Sequence, residues 1–498
     1  MDTVTMRNRR LWQTARHRIL SGDDPYVWQK GGESMKASMR KGILFLLVST
    51  MVLSVAACAS GEGGGGADSL ISDPGLAGNV HADVDVSSGD KPMDEGLNFE
   101  GKTFRLALAY KPVNDVLERK VEAFNEKFNA DVQFDKNTTL NWNEYGTELA
   151  AAKASGVPYD IIYYHMEFFP SLNVAGLLEP LEAYYTEADF YNPDQPEAGG
   201  LNPNLTASFN WDNKSYAVAS ANSVFPEVMY YNKLLIRDLG LEDPKGLYDK
   251  GEWTWEKMVE MGREFLDPAS GNFALSGFGD VSIWLAYNNI DGIAYDGTVP
   301  RQNLQDEKFI QVMNEYRNLY YGENALCYSG KDYADSDLFD TGRVLFFVEQ
   351  TDNYATRVNM ARSSNAFGRD VSNLEIVPVP SKEGADLYPV HAPQGWGAGA
   401  GSSDPRVAVA FAKFESSWVD DNPPEDSLPV ETKKLFTDLL NKGAYNNICG
   451  FQSNDGTTYM QLLNRQLGDA IRYGGDVAAV LAEYQNPVQK CIVDSTTK

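Results

Sequence analysis

Tyr159-Asp-Ile-Ile-Tyr-Tyr164 decides the fold. It is a short, nearly continuous apolar run, the pattern of a strand covered on both faces of a sheet. Upstream of it, residues 143–154 carry Tyr145, Leu149 and Ala152 at helical spacing and close at Gly156. Further upstream, Asp131-Val-Gln-Phe134 reads as a strand, and residues 113–129, opened by Pro112, place Val116, Leu117, Val121, Phe124 and Phe128 on one helical face. Phe104-Arg-Leu-Ala-Leu-Ala109 alternates enough to be the first strand. Downstream, a helix is expected near 169–175, ending at Gly176. Strand and helix alternating at this pace imply an α/β fold with a mainly parallel sheet and helices on both faces.

The rest of the chain continues in kind. Residues 189–215 read as loop, being rich in Pro and Gly, and 215–220 and 228–231 as extended. Helices are expected at 255–266 behind the N-cap Thr254 and at 308–321 and 407–418, residues 435–440 and 460–484 read as helical, and 376–379 reads as a strand. Trp253 and Trp255 bracket that N-cap and read as packing residues.

The N-terminus is of another character. Gly42-Ile-Leu-Phe-Leu-Leu-Val-Ser-Thr-Met-Val-Leu-Ser-Val-Ala-Ala57 follows Lys36, Arg40 and Lys41 and ends in small residues, the layout of a secretory signal peptide. The run is shorter than the ~20 apolar residues of a spanning helix. Its exit, Val55-Ala56-Ala57-Cys58, resembles the lipobox of bacterial lipoproteins, which implies cleavage before Cys58, acylation there and a membrane anchor. Residues 1–34 do not suit a secreted protein. Lys30-Gly31-Gly32-Glu33 can be encoded by a ribosome-binding sequence just ahead of Met35, so Met35 is expected to be the start. Residues 59–99, poor in apolar side chains and rich in Gly, Ser and Asp, read as a tether.

Without residues 1–57 the chain keeps 34 basic and 66 acidic residues, a net charge of −32, which disfavours nucleic acid and anionic lipid. The four cysteines, Cys58, Cys327, Cys449 and Cys491, match no zinc spacing; a Cys449–Cys491 bridge and free thiols both remain open. Only two of the four histidines, His165 and His391, fall in the expected fold. Neither Gly-x-Ser-x-Gly, His-Glu-x-x-His nor a P-loop occurs, and Gly395–Gly401 lacks dinucleotide spacing. No metal, cofactor or catalytic residue is expected.

Several stretches resemble the extracellular family 1 solute-binding proteins, the sugar-type receptors of ABC importers. They are Glu148-Leu-Ala-Ala-Ala-Lys-Ala-Ser-Gly156, Tyr159-Asp-Ile-Ile-Tyr163, Ala175-Gly-Leu-Leu-Glu-Pro-Leu181, Met229-Tyr-Tyr-Asn-Lys233, Gly251-Glu-Trp-Thr-Trp-Glu256, Gly342-Arg-Val-Leu-Phe346, and Gly395-Trp396 ahead of Ser403-Asp-Pro405. The sequence departs from the family at Tyr159, where Pro is usual, and in the glycine-rich Gly397-Ala-Gly-Ala-Gly401, normally a strand. The resemblance implies a two-lobe, periplasmic-binding-protein-like fold with a hinge crossed more than once, near 221–226 and 389–393. It divides the chain into a mis-read extension (1–34), signal peptide (35–57), acylated Cys and tether (58–101), first lobe (102–222), second lobe (223–390), return to the first lobe (391–445) and C-terminal helices on the second (446–498).

Sugars are held by aromatic faces and by planar carboxylates or amides. In open α/β sheets, ligands bind beyond the carboxyl ends of strands. The candidates there are Tyr110, Tyr164, His165, Glu167, Asn222, Glu349, Asp352 and Trp396, with Trp284 and Asn288 on a helix expected to face the cleft. The expected function is an extracellular, lipid-anchored receptor, monomeric and not an enzyme, that delivers a mono- or oligosaccharide to an ABC importer permease. The alternatives are a lipid-anchored glycoside hydrolase, a peptide or polyamine receptor, and a surface sensor.

Overall fold

The computed structural model describes residues 91–497, except 113–114, 136–139, 193, 196–197, 222–224, 296–298, 324, 383–389, 392, 425, 443–444 and 447–449. The signal segment, Cys58, most of the tether and Cys449 lie outside these residues. Two separate sheets form the frame, one in each lobe. The first holds β1 (Lys102–Ala107), β2 (Ala130–Gln133), β3 (Ile161–His165), β4 (Leu178–Glu179) and, from far along the chain, β9 (Gln394–Gly399). Its order is β2-β1-β3-β9-β4. The second holds β5 (Glu227–Asn232), β6 (Phe273–Ser276), β7 (Val344–Gln350) and β8 (Leu374–Pro378), in the order β8-β5-β7-β6.

Each sheet has one strand running against the rest: β9 opposes β3 and β4, and β5 opposes β7 and β8. The chain's route explains this. Both strands follow a passage from the other sheet and enter at the edge where the parallel strands end. The two edges at which parallel strands finish therefore carry the inter-sheet connections as well.

Local sequence accounts for the elements. The helix Val116–Phe128 buries Leu117, Val121, Phe124 and Phe128, four of the five positions read at helical spacing. Phe124 packs edge-on against Phe411 and Phe414 from the returning helix Arg406–Ser417. β3 is buried at all five positions, as a strand covered on both faces must be. Thr254 accepts from the Lys257 N–H and starts the helix Trp255–Phe265, while Trp253 is buried with its indole N–H on the Pro378 carbonyl.

The glycine-rich departure is a strand as far as Gly399, and the glycines of that strand have a cause. A Cβ at Gly395 would lie 2.7 Å from the Val218 carbonyl oxygen, one at Gly397 2.9 Å from that of Tyr216, and one at Gly399 2.0 Å from that of Tyr159. Neighbouring backbone presses on β9 at alternate residues, and only glycine leaves room.

Three sequence expectations need correction or refinement. Residues 189–215 are not loop throughout. Asn202 caps a helix at Pro203–Ala207 by accepting from the Leu205 N–H, and Asp212 and Asn213, both at positive φ, turn a hairpin between Asn210–Trp211 and Lys214–Ser215. The stretch 460–484 is helical, as read, but not without interruption. It breaks at Gly474, whose φ of 103° no helix accommodates, before Val477–Thr496. The fold also begins ahead of Lys102. Phe99 is buried, and Lys413 reaches Asp189 at 2.8 Å and also pairs with Asp94, fastening residues 91–99 to the first lobe. Cys327 and Cys491 are buried free thiols, and among the described residues no helix is long and apolar enough to cross a membrane.

Candidate ligand-binding cleft

The edges where the parallel strands end bring together side chains far apart in sequence. On the first lobe, β1 runs out into Tyr110. Its ring meets that of Tyr163 edge-on at 4.9 Å, and 41% of Tyr110 stays open to solvent although protein crowds its hydroxyl and, with Glu415, pushes its pKa up. β3 ends at His165, which turns the chain into the short helix Met166–Phe168 by accepting the Glu167 N–H on Nδ1 at 3.2 Å. Burial lowers the His165 pKa to about 4, so the ring is neutral at physiological pH. The exposed Glu167 accepts the Trp142 indole N–H at 3.0 Å, while burial raises its pKa against that bond. Trp142 itself lies on Phe168 at 4.8 Å and edge-on to His165 at 5.2 Å. The result is a half-exposed indole with a carboxylate fixed at its polar edge.

The edge on the second lobe is acidic. Glu227 opens β5 beside Gln350, the last residue of β7. Burial, then the charges of Asp352, Glu349 and Asp280, raise the Glu227 pKa to about 8, and its Oε2 is buried without a hydrogen-bond partner. Burial also lifts Glu349 to about 7 despite Arg357, whose Nε stands 3.0 Å from its Oε2 but is not aligned for a hydrogen bond. Arg357 is itself buried and makes its aligned bond to Asp340, at 2.6 Å. Asp352, on the turn after β7, and Asp280, 3.0 Å from Arg465, are raised as well, chiefly by burial.

These two edges face each other. Tyr163 feels the Asp352 charge, after burial and nearer groups, and Asp280 feels that of Glu167. The lobes also touch through aromatic rings: Trp211 of the first stacks on Tyr295 of the second, centroids 5.0 Å apart and 12° between planes.

Of the expected site residues, Tyr110, His165 and Glu167 fall on one edge and Glu349 and Asp352 on the other. The remaining described ones are taken up in packing. Tyr164 is fully buried, its hydroxyl on Asn173 Oδ1 at 2.6 Å. Trp396 is 5% exposed and donates to Glu415 at 2.9 Å. Trp284 is 2% exposed, donates to the Val312 carbonyl at 3.0 Å, and packs against Trp255 and Phe278, so its helix does not present it to a cleft. Asn288 ends that helix, bonded to the Trp284 carbonyl at 2.8 Å and to Lys382 at 2.5 Å. Asn222 lies outside the described residues. Sequence reasoning missed Trp142, Tyr163, Glu227, Asp280 and Arg357. Only Trp142, an isolated Trp ahead of a helix in a polar stretch, offered a local signal. A groove of about 660 Å³ between Ser171–Gly176 and residues 452–456 and 494–497 is lined without any aromatic ring.

The profile of the family described as bacterial extracellular solute-binding protein matches residues 111–415. No curated protein matches the sequence. Among solved structures, the chain is similar to the sugar-binding protein MalE of Xanthomonas citri, at 15% identity and TM-score 0.56, covering 78% of this chain and 97% of that one. An extracellular solute-binding protein of Staphylococcus aureus, solved with maltose, gives 15% and 0.55 over 78% and 98%. The galacto-N-biose/lacto-N-biose I-binding protein of Bifidobacterium longum, solved with lacto-N-biose, gives 13% and 0.55 over 80% and 98%. At such identities the likeness establishes the two-lobe fold.

Proposed function

Because the chain belongs to the bacterial extracellular solute-binding protein family, we propose that it captures a carbohydrate between its two lobes, outside the cytoplasm, and delivers it to the permease of an ABC importer. The observation that carries this reading is the pairing of Trp142 with Glu167. An exposed carboxylate bonded to the indole edge places an acceptor for hydroxyl groups beside a flat apolar ring. Tyr110 offers a second accessible ring on the same edge. The sugar-binding structural relatives lend the reading further support.

A ligand that touches both edges favours the arrangement in which the lobes come together, in proportion to its differential contacts. Moving such an equilibrium from one state almost wholly to the other takes ~5.5 kcal/mol. Several hydroxyl bonds and one or two ring contacts supply energy of that size. The membrane link in this reading is an acylated Cys58, so Cys58→Ala should move the protein from the membrane fraction to the medium. A thermal-shift screen over mono- and oligosaccharides tests the ligand class. Stabilisation by at least one saccharide without its consumption is expected; stabilisation by peptides or polyamines alone would overturn the carbohydrate reading.

A further inference from the structure

The second lobe's edge holds more negative charge than neutral hydroxyl groups require. Glu227, Glu349, Asp352 and Asp280 lie there, with Glu167 opposite. Two of these acids already have a cation: Arg357 is shared between Asp340 and Glu349, and Arg465 is on Asp280, while Arg472 is on Asp335. Among the described residues, no ion pair reaches Glu227 or Asp352. Besides Glu349 Oε2 and Arg357 Nε, which face each other without a hydrogen bond, two more polar atoms at this junction are buried and unsatisfied. One is Glu227 Oε2; the other is Oγ1 of Thr351, a residue 5% exposed that directly precedes Asp352 and whose N–H holds the Pro226 carbonyl at 3.0 Å. Buried polar atoms without partners are costly, and each calls for a group that completes its bonding.

A metal ion does not fit: no group of three or more His, Cys, Asp or Glu among the described residues is placed to hold one. An ammonium group fits better, since it donates three hydrogen bonds, accepts none, and can sit against carboxylates spread around it. We propose that the carbohydrate bears a protonated amine, and that this amine docks at Glu227 with Asp352 and Asp280 around it. This rests on the carbohydrate reading and narrows it to amino sugars. The raised pKa of Glu227 agrees: a carboxyl kept protonated by burial and then by its acidic neighbours ionises when a cation arrives, so amine binding releases a proton.

Isothermal titration at pH 7 with four probes tests this: oligosaccharides of glucosamine, their N-acetylated counterparts, maltotetraose and spermidine. The glucosamine oligosaccharides should bind about tenfold tighter or more than the N-acetylated ones. Their observed enthalpy should vary with buffer ionisation enthalpy, reporting release of up to about one proton. In E227Q both the preference and the proton release should disappear, and D352N should weaken the preference. Equal or tighter binding of the N-acetylated sugar or of maltotetraose would overturn the amine proposal and leave the carbohydrate reading intact. Binding of spermidine alone would overturn both. A preference unaltered in E227Q and D352N would overturn the assignment of the amine to this junction, as would binding of none of the four.

Discussion

Replacing Glu227 by Gln should make the unliganded protein more stable, and only above acidic pH. The Glu227 pKa stands at about 8 against 4.5 for an unhindered glutamate. A carboxyl with its pKa raised by folding binds more protons folded than unfolded. Its presence therefore costs nothing below pH 4.5, and stability is lost as the pH rises toward 8. At 1.36 kcal/mol per unit, about 2.5 units separate pH 7 from the unfolded value, giving about 3.4 kcal/mol. The residue is half-buried rather than sealed, and screening by solvent trims this to about 2 kcal/mol. Gln has nearly the same shape and never ionises, so the variant escapes the cost. Urea unfolding of both proteins at pH 4.5 and pH 7.5 reads the effect. The midpoints should coincide at the lower pH, and E227Q should unfold at higher urea at the upper one. A difference independent of pH, or a less stable variant at pH 7.5, would refute the burial and like-charge argument. A carboxylate retained at such a cost is what a binding function demands.

His165 should stay neutral far below the usual histidine range: NMR titration should give a midpoint near pH 4, with stability falling as the pH drops from 6.5 toward 4, and a midpoint near 6.5 would contradict its burial. Lys413→Met would strand the fully buried Asp189 carboxylate and should cost about 3–5 kcal/mol in chemical unfolding; a cost under about 1 kcal/mol would show that the contact is not held in solution. Trp142→Phe keeps a ring but removes the N–H that fixes Glu167, so the affinity for whichever saccharide the screen identifies should fall about three- to tenfold in titration calorimetry, with unfolding unchanged.

The frame was legible because strand and helix alternate in period as well as in order. The apolar run at 159–164 and the helical face from Leu117 to Phe128 both announce themselves locally. The site was legible only in part, and the misses have physical causes. A strand covered on both faces has no alternation to phase it. Nothing in the sequence therefore told that Tyr163 meets Tyr110 while its neighbour Tyr164 turns into the core to bond Asn173. Trp396 and Trp284 have the composition of cleft residues, yet partners brought from elsewhere, Glu415 and the Val312 carbonyl, hold them in the interior. Glu227 gains its character from pairing with a strand more than a hundred residues away. Charge clusters formed by such long-range pairing leave no local pattern. The glycines of β9 were visible as an anomaly, but their cause became clear only with the backbone of residues 216–218 in place.

Capture of a saccharide between two lobes that move is the central claim, and small-angle X-ray scattering during a titration tests it most directly. The radius of gyration should fall and saturate as a binding saccharide is added, with the sugar recovered intact. A radius unchanged at saturating, independently verified occupancy would contradict the account.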